Sequence, residues 1–169
     1  MMDIIKEQAV KKQSTAKNSL LKAGIIVLVF IISIMLFILL PTFAPILIAV
    51  IIFGAYYALS LLDVEYEYIF TNGELDIDCI YSKKRRKRLY SGRVADFELM
   101  AHVDDKTHSG DFKSAAETKN YSSGTVTSNT YAFLTVHNGK KLKIIFEPNS
   151  EMIQALSTAL SPRKLFKKK

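Results

Sequence analysis

From Ala23 to Leu62 the chain runs 40 residues without one charged side chain. A single helix of that length would reach about 60 Å, twice the ~30 Å hydrocarbon core of a bilayer. The block therefore folds back, and the break is written in Pro41-Thr42-Phe43-Ala44-Pro45. Proline lacks the backbone N–H and restricts the residue before it, so two prolines four apart end a helix. The pattern predicts a transmembrane hairpin over 23–62, with helices over 23–40 and 46–62 and a turn at 41–45. Gly54 and Ala55 offer a close approach between the two helices, without a G-x-x-x-G motif.

After Asp63 the period changes from helix to strand. Val64, Tyr66, Tyr68 and Phe70 alternate with acidic positions, Asn72-Gly73 follows, and Glu74–Ser82 alternates again. Asn-Gly between alternating runs signals a two-residue hairpin turn. That turn places Phe70 opposite Leu75, Tyr68 opposite Ile77, Tyr66 opposite Cys79 and Val64 opposite Tyr81. All four pairs share an apolar face, and a one-residue slip would destroy the match. Glu65, Glu67, Asp76 and Asp78 take the other face. Asn138-Gly139 joins a second hairpin, Thr130–His137 with Lys140–Glu147, in which Tyr131 meets Phe146, Phe133 meets Ile144 and Thr135 meets Leu142. Arg88–Ser91 and Val94–Ala101 read as further strands joined near Gly92. The stretch 102–129 is polar and loop-rich, with room for one short strand. Pro148-Asn149-Ser150 supplies a stop and an N-cap. Met152, Ile153, Leu156, Ala159 and Leu160 then form a helical stripe that Ser161-Pro162 closes.

Charge sets the orientation. The formal net charge is +7. Lys6, Lys11, Lys12, Lys17 and Lys22 precede the first span, against Asp3 and Glu7, and the region beyond Asp63 is also basic. The turn at 41–45 carries no cation, so the positive-inside rule puts both termini in the cytoplasm of a multi-pass cell-membrane protein. The first span is too long for the apolar core of a cleaved signal peptide. Apart from Tyr56 and Tyr57, neither span holds an ionisable side chain, which argues against a transporter or channel and for an anchor. Residues 1–22 read as a basic cytoplasmic segment. It is either a flexible tail or an interfacial helix with a thin stripe of Met2, Ile5 and Ala9. Residues 63–161 form the cytoplasmic domain, and 162–169 a basic tail.

Antiparallel strands followed by one helix resemble a pleckstrin-homology-like (PH-like) domain over residues 64–161. The expected fold is thus a membrane α-helical hairpin plus an α+β soluble domain: an antiparallel PH-like β-barrel or sandwich closed by a C-terminal helix. The tryptophan usual in the closing helix of eukaryotic members is absent, since the chain has no Trp. A closer likeness rests on Tyr66-Glu67-Tyr68-Ile69-Phe70-Thr71-Asn72-Gly73-Glu74-Leu75-Asp76-Ile77, on Ile145-Phe146-Glu147-Pro148 and on Pro162-Arg163-Lys164. These segments resemble an uncharacterised bacterial family of two-span membrane proteins with a cytoplasmic PH-like domain. The resemblance implies membership and architecture, and no activity. It is weakest over 102–129.

The sharpest chemical feature is Lys83-Lys84-Arg85-Arg86-Lys87-Arg88. The first hairpin starts at the second span and returns toward it, so this run is expected at the bilayer surface. There each cation is worth ~1 kcal/mol against an anionic leaflet. In many PH domains the loop between the first strands binds acidic headgroups, whereas here the run follows the second strand of the hairpin. Competing readings are a solvated loop that helps set topology, a cover for the acidic face of Glu65, Glu67, Asp76 and Asp78, and a nucleic-acid contact. The last is disfavoured because no aromatic platform interleaves the charges. The carboxylates themselves read as an ordinary solvent-facing strand pattern. His102, Asp104, Asp105, His108 and Asp111 match no metal-ligand spacing and read as a polar loop. His137 abuts a turn and stands alone. Cys79 falls on the core face, with no base placed to activate it. No phosphate-binding glycine loop is present.

The sequence therefore points to a non-catalytic, membrane-tethered PH-like module without a cofactor or metal. It would bind a protein partner or anionic lipid headgroups through the basic run and the 102–129 loop. The alternatives are an accessory subunit of a larger membrane transporter or enzyme complex, and a hydrolase built on the 102–111 cluster.

Overall fold

The computed structural model describes residues 4–14, 16–137, 139–161 and 164–166, and the backbone alone of Lys17 and Phe166. Met2, Asn138, Pro162, Arg163 and the tail 167–169, each singled out above, lie outside the described residues. The chain divides into a helical unit, Ser14–Val64 with Tyr81–Arg85, and a strand unit made of the remainder.

In the helical unit, α1 (Ala16–Leu39) and α2 (Ala44–Ser60) are joined by a turn in which the Ala44 N–H donates to the Leu40 carbonyl at 2.8 Å. Pro45 occupies the first turn of α2, where its missing N–H has no helical partner to lose. Helix α1 starts seven residues before the apolar block, because nothing between Ala16 and Lys22 breaks a helix. Half-buried positions recur at three- and four-residue spacing, as Lys22, Ile25, Val29, Ile32 and Leu36 on α1, and Ile48, Ile51, Ala55 and Ala58 on α2. These positions form the seam between the two helices. Ala55 lies on it. Gly54 does not, since a Cβ there would meet nothing within 4 Å. Asn18–Leu39 is long and apolar enough to cross a membrane, whereas Ala44–Ser60 is apolar but shorter.

In the strand unit, one sheet has the order β1 (Ile5–Lys11), β2 (Val64–Thr71), β3 (Glu74–Tyr81), β4 (Arg85–Arg93). The first strand corrects the expectation of a tail or interfacial helix. Strand β1 runs antiparallel to β2, from Ile5 opposite Thr71 to Lys11 opposite Glu65. Its inward positions are Lys6, Gln8 and Val10, too polar to produce an alternating signal. Polar bonds hold it instead. Gln8 Nε2 donates to the Glu147 carbonyl at 2.8 Å, the Asn149 N–H donates to Gln8 Oε1 at 2.7 Å, and Lys6 pairs with Glu151 at 2.9 Å. Along the chain, the helical hairpin is thus an insertion between two paired strands.

The β2–β3 turn is Asn72-Gly73, with φ of 48° and 94°. Tyr66, Tyr68, Phe70, Leu75, Ile77 and Cys79 are all buried, as their pairing face requires. Strand β4 begins inside the basic run, and a 3-10 turn at Val94–Asp96 replaces the start of the expected strand 94–101. Four of the six consecutive cations, Arg85–Arg88, lie in this strand and show no hydropathy alternation, so only their acidic neighbours reveal it.

The second sheet has the order β6 (Glu117–Asn120), β8 (Lys140–Phe146), β7 (Tyr131–His137), β5 (Leu99–His102), β9 (Leu165–Phe166). The β7–β8 register is the expected one, with Tyr131 on Phe146, Phe133 on Ile144 and Thr135 on Leu142. Pairs β6–β8 and β5–β9 are parallel. The strands therefore form two separate sheets, the first antiparallel and the second mixed, so the barrel of the expected barrel or sandwich is not formed and the second sheet departs from an all-antiparallel arrangement. Phe97 stacks on Phe133 at 4.1 Å, and Phe146 meets Phe133 and Tyr68 edge-on at 5.3 and 5.6 Å. Helix α4 (Ser150–Ala159) is capped by Asn149, whose Oδ1 accepts from the Met152 N–H at 2.8 Å, and it buries Met152, Ala155 and Leu156.

The stretch 102–129 carries more structure than its polarity implies. Helix α3 (Ser109–Lys113) lays Phe112 on Leu99, Ala101, Ala132 and Leu134, and strand β6 follows. Glu147 ties the rest of it down. Its carboxylate accepts from Thr127 Oγ1 at 2.5 Å and from the Ser123 N–H at 3.1 Å. Burial works against this charge, but those hydrogen bonds outweigh it and hold the carboxyl below its usual range. A depressed folded-state pKa contributes stability above the unfolded value, about 4.3 for Glu, and loses it as pH falls through the folded one. Glu147→Gln is expected to lower stability at pH 7 and to flatten the acid-side decline. Denaturant titrations at neutral and acid pH would show this, and two parallel profiles would refute it.

Candidate anion-binding site

The basic run divides at the β3–β4 turn, and its halves do different things. The turn is Ser82-Lys83, closed by the Lys84 N–H donating to the Tyr81 carbonyl at 3.0 Å. Both central residues are left-handed, with φ of 48° and 57°. That is the geometry of a type I′ hairpin turn.

Lys83, Lys84 and Arg85 belong to the helical unit. The Ser82 N–H donates to the Asp63 carbonyl at 2.8 Å, which ties the turn to the chain leaving α2. Lys84 Nζ lies 5.9 Å from the centre of the Tyr56 ring, and Arg85 Nη1 donates to Tyr57 Oη at 3.2 Å. Both tyrosines are more than half exposed, in the last turns of α2. Among the described residues, no carboxylate pairs with any of these three cations.

Arg86 and Arg88 belong to the strand unit and are committed to carboxylates. Arg86 pairs with Glu67 and lies 3.8 Å from Asp78. Arg88 reaches Asp76 at 2.9 Å through Nη1 and Asp78 at 3.0 Å through Nε. Asp78 is only 1% exposed. Its hydrogen bond is the main reason the Arg88 guanidinium holds its proton still more firmly than usual. Lys87, between them, is exposed and among the described residues has no carboxylate partner. The reading of the run as a cover for the acidic face thus describes Arg86 and Arg88, and not the other four cations.

The remaining candidates are structural. His102 is buried. Its Nδ1 accepts from the Asp104 N–H at 3.2 Å, so its Nε2 carries the proton and donates to the Thr127 carbonyl at 3.0 Å. His108 pairs with Asp111 at 3.1 Å, and Asp105 accepts from the Thr107 N–H at 2.9 Å. Among the described residues, no three His, Cys, Asp or Glu side chains converge as a metal would need. His137 packs against the Tyr90 ring, and Cys79 is buried among core side chains. Tyr56 and Tyr57 are the residues that sequence reasoning passed over. Two adjacent tyrosines closing an apolar helix are the signal, since amphipathic rings favour the level of the headgroups.

Residues 2–167 match the family described as Bacterial PH-like domain (DUF6106). The chain belongs to that family. The match takes in both units, so the apolar hairpin inserted between β1 and β2 lies within the matched bacterial PH-like region. No curated protein and no solved structure matches the chain.

Proposed function

We propose that this bacterial PH-like protein is a non-catalytic, multi-pass membrane module with both termini in the cytoplasm. Its unpaired cations engage anionic lipid headgroups and hold the PH-like domain ready for a protein partner. Both helices present large apolar side chains outward, among them Ile38, Ile46 and Phe53, a surface that suits acyl chains and not water. Helix α2, about 26 Å long at ~1.5 Å per residue, is slightly short for a span. Local thinning of the bilayer or snorkelling of flanking side chains accommodates such a helix. Basic residues flank the apolar block on both sides. The observation that carries the lipid reading is the placement of Lys84 and Arg85 on Tyr56 and Tyr57, with no carboxylate competing for them.

The test uses the full chain in nanodiscs of phosphatidylcholine alone or mixed with phosphatidylglycerol. Backbone hydrogen exchange at residues 83–85 is expected to slow in the anionic discs at low salt, and the difference to fade as salt rises. Equal exchange in both lipids at low salt would overturn the lipid reading.

A further inference from the structure

We infer that the β3–β4 turn is a reader of headgroup phosphate, in which Lys83, Lys84 and Arg85 bind the anion while Arg86 and Arg88 only brace the sheet. The inference rests on the lipid reading above and narrows it to three cations and one chemistry.

The chain holds its own control. At the β2–β3 turn the two left-handed positions are Asn72-Gly73, the pair such a turn favours. At the β3–β4 turn, whose two central residues also have positive φ, they are Ser82-Lys83. Lysine carries a Cβ that crowds the backbone in this region, and glycine does not. A strained residue at a tight turn is accepted where its side chain has work to do. Lysine at this tip adds an exposed ammonium next in the chain to Lys84 and Arg85. Tyr56 and Tyr57 steady the second and third of these groups. Three neighbouring donors without carboxylates suit a phosphate, whose oxygens take charge-assisted hydrogen bonds from ammonium and guanidinium alike. The tyrosine pair closing an apolar helix points to a lipid as the bearer of that phosphate.

The experiment is native mass spectrometry of the full chain, released from membranes of phosphatidylcholine mixed with phosphatidate or phosphatidylglycerol. The wild type should retain anionic lipid at least fivefold over phosphatidylcholine. The variant S82N/K83G should raise the thermal midpoint, because the turn relaxes, yet lose most of that preference. K84Q/R85Q, which leaves the turn unchanged, should lose it as well. R86Q should lower the thermal midpoint and keep the preference. Full retention by both S82N/K83G and K84Q/R85Q would overturn the turn as the reader, whereas a wild type without any preference would overturn the lipid reading beneath it. Excess inorganic phosphate is expected to leave the bound lipid in place. Displacement of the lipid, with equal thermal stabilisation by phosphate alone, would overturn the lipid as source.

Discussion

Deleting the first 13 residues is expected to cost the strand unit about 2–4 kcal/mol, a large part of the ~5–15 kcal/mol that holds a typical domain together. The loss has three sources. Strand β1 covers the edge of β2 from Glu65 to Thr71, and its removal leaves that edge unpaired. Gln8 satisfies the Glu147 carbonyl and the Asn149 N–H, and such bonds are worth ~1 kcal/mol each. Val10, half-buried opposite Tyr66, would no longer shield that side of the core. Urea titration of full-length and truncated chains in nanodiscs, followed by tyrosine fluorescence, measures the effect. An unchanged midpoint would show β1 to be dispensable. The same geometry makes a constructive forecast. Lys11 lies opposite Glu65. An Asn-Gly turn between these two residues should therefore replace the whole helical insertion and yield a folded domain that needs no detergent. A fragment beginning at Asp63 lacks β1 and should aggregate through the bare β2 edge.

The second large effect is expected at Arg88. Arg88→Met should clearly lower the denaturation midpoint of the strand unit, whereas Lys87→Ala, one position away, should leave it nearly unchanged. The contrast comes from Asp78. With a side chain nearly closed to solvent, it has Arg88 at 3.0 Å and Arg86 only at 3.8 Å. Removing Arg88 strands a buried carboxylate, which costs more than the pair itself contributes. Because Arg88 is half exposed, the cost falls below that of a fully buried pair. Adding Asp78→Leu to the Arg88→Met background should restore part of the loss, which separates the stranded charge from lost packing. Equal midpoints for the Arg88 and Lys87 variants would refute the division of the basic run.

That division was half legible in the chain. The acidic alternation of β2 and β3 announced a face that needed cations, and six cations followed it. Which of the six would serve that face depends on where the turn falls. Ser82-Lys83 resembles no standard turn pair, so nothing local marked it. The tyrosines at 56 and 57 lie 28 residues upstream of their partners, and only the folded chain returns Lys84 and Arg85 to them. Phe112 was hidden in a similar way. One aromatic in a polar stretch carries no period, yet it seals the outer face of a sheet.

The sequence by itself determined the elements whose signal is periodic and local. The uncharged block with its two prolines, the Asn72-Gly73 hairpin, the register of β7 on β8 and the Asn149-capped helix all rest on spacing, because burial of one face repeats with the pitch of the element. Tertiary structure decided everything held by polar bonds between distant residues. Strand β1 and the parallel strands β6 and β9 are stabilised by partners far along the chain, and the Arg86 and Arg88 pairs with Glu67, Asp76 and Asp78 depend on where the turn at Ser82-Lys83 falls. A hydrogen bond or ion pair needs one partner at one place and leaves no repeat behind it.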